Sequence, residues 1–100
     1  MLALCACGGT NPPRTVGEAC DLTVSAFCTR EKDCKRTTVE AQCLIASIDA
    51  CCGKEGLCQR EPLNPTGAVA CAEAVPRMTC AELDARALPA ACIGSTTPRD

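Results

Sequence analysis

The sequence predicts an all-α fold: a small, disulfide-rich helical bundle of three to four short helices behind a disordered N-terminal tether. Three observations predict it. No run of β-branched or aromatic residues alternates over four or more positions, so strand signals are nearly absent. Thr37 with Glu40, and Thr79 with Glu82, have the spacing of a capping box, in which two side chains satisfy orphan amides at a helix start. Twelve cysteines occur in 100 residues that are otherwise short of bulky core-formers.

That shortage decides what holds the fold. Apolar residues make up 47% of the chain, but 12 are Cys and 16 are Ala, and Phe27 is the sole aromatic. Leu, Ile, Val and Phe together number 17, a share that struggles to offset roughly 1 to 2 kcal/mol of backbone entropy per residue. Disulfides can make up the difference at about 2 to 4 kcal/mol each, and they persist only in an oxidising compartment. The expected location is therefore extracytoplasmic. A net charge of −2 gives no long-range attraction to phosphate backbones, so nucleic acid is not an expected partner. The one basic run, Arg30, Lys32, Lys35 and Arg36, is interleaved with Glu31 and Asp33 and reads as a solvated turn.

The elements follow in order. Helix one is expected over about Val16 to Thr29, with Cys20, Val24 and Phe27 at i, i+4, i+7 and Cys28 beside them. Helix two is expected from about Thr38 to Cys52, stopped by Gly53. At 100° per residue Val39, Cys43, Ala46 and Ala50 share one face, and Ala41, Ile45, Ile48 and Cys52 the opposite one. A helix apolar on two faces has to be covered on two sides, which makes helix two the expected centre. The vicinal thiols Cys51 and Cys52 project about 100° apart, so they should find different partners and staple helix two to both neighbours. Residues 59–66, with Pro62 and Pro65, read as a loop; helix three is expected from about Gly67 to Val75, ending at Pro76. Helix four opens at the Thr79 capping box and runs to about Ala87, before Pro89. The expected boundaries are a residual leader and tether over 1–15, a stapled helical domain over 16–94 and a disordered tail over 95–100.

A repeat underlies this plan. At an offset of 24 residues Ala26-Phe-Cys-Thr-Arg-Glu-Lys-Asp-Cys34 aligns with Ala50-Cys-Cys-Gly-Lys-Glu-Gly-Leu-Cys58, both reading A-x-C-x-[R/K]-E-x-x-C. The unit is a helix followed by a cysteine-bounded turn, and duplication of that unit explains it.

The first residues, Met1-Leu-Ala-Leu-Cys-Ala-Cys-Gly-Gly-Thr-Asn-Pro-Pro, place a short apolar stretch before a cysteine and a Gly/Pro/Thr segment after it. This order resembles the end of a bacterial lipoprotein signal. That family's lipobox has Leu three residues before the modified cysteine and a small residue immediately before it, as Leu4 and Ala6 stand to Cys7. Cys5, preceded directly by Leu4, fits less well. The resemblance implies lipid attachment at Cys7 and a membrane anchor, and Gly8 in place of Asp resembles lipoproteins sorted to the outer membrane. Only six residues precede Cys7, against an apolar region of roughly 7 to 15 residues behind a basic start in a full signal, so the leader reads as truncated. Cleavage before Cys7 and its acylation leave ten cysteines, the even number a closed framework requires: Cys20, Cys28, Cys34, Cys43, Cys51, Cys52, Cys58, Cys71, Cys80 and Cys92. Their pairing stays open at this point.

Catalytic chemistry is poorly supplied. With no His, Trp or Tyr, the chain lacks the commonest general base and any Ser-His or Cys-His pair, so it is not expected to be an enzyme, and no catalytic residue, cofactor or metal ligand is assigned. The stretch Cys51-Cys-Gly-Lys-Glu-Gly-Leu-Cys58 resembles, in cysteine spacing, the active-site helix of secreted phospholipases. Glu55 and Gly56 stand where that family has its catalytic His and calcium-binding Asp, so the likeness brings no mechanism. Among Cys20 to Cys92 no Cys-x-x-Cys redox motif occurs.

Two binding readings compete with a purely structural one. Thiolate metal binding, of copper or zinc, would want cysteines at i, i+3 or i+4 along one face, whereas the gaps here are mainly 6, 8 and 9. A small apolar ligand or lipid could lie between stapled helices, as in plant lipid-transfer proteins, which share a vicinal Cys pair but also have a later Cys-x-Cys missing here. The C-terminal half, Cys71-Ala-Glu-Ala, Met78-Thr-Cys80-Ala-Glu-Leu and Leu88-Pro-Ala-Ala-Cys92, is similar to the ending of small Cys-rich lipoproteins of myxobacterial type. The likeness implies an envelope location, in the outer membrane or as a secreted or periplasmic protein. The expected role is a non-enzymatic envelope module, structural or partner-binding, whose partner is an envelope protein or ligand of unstated identity.

Overall fold

The computed structural model describes residues 11–34, 43, 47–48, 50–53 and 56–99. It is helical and stapled by disulfides, and among the described residues the only β pairing is one isolated antiparallel bridge between Pro62 and Pro98.

Helix α1 spans Val16–Asp33. Thr15 caps it, its Oγ1 accepting from the Glu18 amide at 3.1 Å, while the Glu18 carboxylate accepts from the Arg14 amide at 2.9 Å. The helix runs four residues beyond the predicted end near Thr29. Arg30 to Asp33, read as part of a solvated turn, are its last turn, where Arg30 and Lys32 oppose the negative end of the helix dipole, while Lys35 and Arg36 lie outside the described residues. Arg30 also donates from Nε to the Met78 carbonyl at 2.9 Å, a long-range contact that local sequence does not announce.

Cys43, Ser47, Ile48, Ala50, Cys51 and Cys52 are helical, and Cys43 and Cys51 are bonded to α1; these helical residues are called the facing helix. The Thr37 and Glu40 capping box, and half of the residues on the two apolar faces expected of helix two (Val39, Ala41, Ile45 and Ala46), lie outside the described residues. A 3₁₀ turn at Leu57–Gln59 follows, entered through Gly56 at φ +70°, a left-handed position that favours glycine. Gly17 of α1 lies against this turn: a Cβ there would stand 3.1 Å from the Cys58 carbonyl oxygen. The Val16 amide closes the contact by donating to Arg60 O at 2.7 Å.

Helix α2 spans Pro65–Ala74, two residues earlier than predicted, because Pro65 occupies the first helical position and Asn64 caps it, accepting from the Gly67 amide at 3.1 Å. A 3₁₀ turn at Val75–Arg77 continues it. Helix α3, Cys80–Asp84, starts at the predicted capping box with both arms made, Glu82 N to Thr79 Oγ1 at 3.0 Å and Thr79 N to Glu82 Oε1 at 2.9 Å. It stops three residues short of Ala87. The reason is at Arg86, which has φ +56°. Ala87 N donates to Glu82 O at 3.0 Å and Arg86 N to Leu83 O at 3.2 Å. Those two bonds make a Schellman stop, with an arginine where glycine is usual.

Two predicted boundaries are corrected. The tail over 95–100 is not a free end: Leu63 N donates to Thr97 O at 2.9 Å and Arg99 N to Glu61 O at 2.8 Å, and Ser95 is buried with its hydroxyl donating to Cys92 O. The tether does not reach Thr15, because Pro13 is already buried and Thr15 is the α1 cap. Pairing with distant backbone at 61–63 orders 97–99, while Arg14 and Thr15 are held locally at the α1 cap.

α1 is bonded to the facing helix on one side and packs against α2 on the other. Among the described residues α1 has neighbours on two sides; the expected central place of helix two falls on residues that are partly outside the described ones. Burial is lean. Among the described residues eleven apolar ones are buried, of which five are half-cystines and two are alanines, leaving Val16, Val24, Val75 and Met78 as the larger ones. Burying one such side chain fully contributes about 1.5 to 3 kcal/mol, so this interior is small for the chain it orders.

Candidate functional site

All ten cysteines from Cys20 to Cys92 are paired: Cys20–Cys51, Cys28–Cys43, Cys34–Cys80, Cys52–Cys58 and Cys71–Cys92. Cys28 lies eight residues after Cys20 and Cys43 eight before Cys51, so two bonds of equal register clamp α1 and the facing helix antiparallel. Cys34–Cys80 joins the end of α1 to the start of α3. Cys71–Cys92 pins the 3₁₀ turn Ala90–Cys92 to α2.

The vicinal thiols do take different partners, but the expected double staple is half right. Cys51 reaches α1, whereas Cys52 closes a loop of only six residues on Cys58 in its own downstream turn. Repeat symmetry is likewise not kept. Cys52 and Cys58 bond to each other, while their counterparts Cys28 and Cys34 bond elsewhere, because α1 continues helically through the stretch that is a turn in the second unit. Cys7, the expected lipid attachment residue, lies outside the described residues. Among the described residues no group of three or more potential metal ligands converges.

Beside the sulfur framework lies a groove between α1, the Met78 turn and the α3 stop. Phe27, Met78, Leu83 and Leu88 form its apolar part, with the charged residues Glu31, Asp84 and Arg86 beside them. It has two lobes of about 170 and 230 Å³ that share Phe27, Glu31, Arg86 and Leu88. Both fall below the roughly 300 to 1,000 Å³ of small-molecule sites. The groove floor is rigid by construction. Met78 is 4% exposed and packs with Cys71, Val75 and Phe27, and the Arg30 bond to Met78 O ties the turn to α1. Leu88, by contrast, is 49% exposed and stands at the lip.

Sequence reasoning missed this groove because its walls come from residues 27–31, 78 and 83–88, which no local pattern joins. Phe27 was a signal in hand, the lone aromatic of the chain, but it was read only as part of a helix face. Chemically the arrangement offers a shallow groove with an apolar floor and a charged edge made of Glu31, Asp84 and Arg86.

Fold and framework together define the class: a disulfide-stapled all-α domain of an oxidising, extracytoplasmic environment. Among the described residues no helix is long and apolar enough to cross a membrane. Compared with models of known protein families, with curated proteins and with solved structures, the chain matches none.

Proposed function

We propose that this chain is a non-enzymatic module of the cell envelope, held to a membrane by a lipid on Cys7, that presents a rigid surface to a protein partner. The observation that carries the reading is the closed framework. Residues 20–92 use every one of their ten cysteines in five bonds, so Cys7, in its lipobox-like setting, is not needed by the fold. The absence of His and Tyr from the sequence supports a role without catalysis. Gly8 after the acylated position favours the outer membrane as the destination.

The test is intact mass, before and after reduction, on protein expressed with its full native leader. The reading expects a gain of two hydrogen atoms for each of five bonds, and a lipid-sized increment confined to the peptide beginning at Cys7. An unmodified Cys7 in membrane-targeted material overturns the anchor. About ten reactive thiols in the native protein would favour the thiolate metal reading instead. Saturable uptake of a fluorescent fatty acid would favour the apolar-ligand reading instead.

A further inference from the structure

We draw no further inference here: the strongest candidate, the shallow groove between α1 and the α3 stop where Phe27, Met78 and Leu88 lie beside Glu31, Asp84 and Arg86, is a surface depression of mixed charge, and nothing in the structure shows what covers it.

Discussion

At one end of the molecule α1 and the facing helix meet through Cys20–Cys51 and Cys28–Cys43, and the buried cluster there consists of Val16, Cys20 and Cys52. At the other end Cys71 is joined by Val75 and Met78, with Phe27 and Leu83 packed against them. Among the described residues the first region buries Val16 beside the half-cystines Cys20 and Cys52, with Leu57 packed against them. The second has one bond of its own, Cys71–Cys92, and a small conventional core. The difference teaches that cross-links and side-chain packing are used as alternatives within one chain. Among the described residues, the bonds are closest together where buried methyl groups are fewest.

The largest effect should come from the bond that connects the regions. Cys34–Cys80 closes a separation of 46 residues, for which the chain-entropy relation gives about 4 kcal/mol. The double variant Cys34→Ser/Cys80→Ser should lose most of that in denaturant melts. If it is neutral, the two regions are independent and the comparison fails.

Met78→Ala comes next, at about 2 to 3 kcal/mol, because Met78 is 4% exposed and its removal leaves a cavity under Phe27. Hydrogen exchange should show α2 and α3 losing protection while amides near Cys20 and Cys28 keep theirs; uniform loss would show that the doubly stapled hairpin has no separate stability.

Cys52→Ser/Cys58→Ser should cost about 2 kcal/mol, the least of the five bonds, since its loop spans six residues. The change should be confined to the Leu57–Gln59 turn and its contact with Val16. Smallest is Thr79→Ala, at about 1 kcal/mol, which removes the side-chain arm of the α3 cap and should shift the melting midpoint without altering the disulfides.

What was legible in the sequence was local. The Thr79 and Glu82 capping box announced α3, the lack of alternating runs announced an all-α fold, and the angular separation of Cys51 and Cys52 announced divergent partners. What was not legible depends on distance. Helix α1 continues through Arg30 to Asp33 with help from Met78 O, 48 residues away, and 97–99 is ordered by backbone at 61–63. The start of α2 was local yet missed, because Asn64-Pro65 was read as loop chemistry although the same pair serves as a cap and a first helical residue. The early end of α3 required an arginine in a glycine's conformation, which residue type argues against. The groove combined both difficulties, since its lip is that arginine and its floor is assembled from three separate stretches.

One comparison bears on the whole account: thermal unfolding followed by far-ultraviolet circular dichroism, on native protein and on protein fully reduced and alkylated in the presence of a chelator. With so few large side chains inside, the reduced chain should show no cooperative transition and little residual helix at room temperature. A cooperative melt of the reduced, metal-free chain near the native midpoint would contradict the claim that sulfur bonds stand in for the missing core.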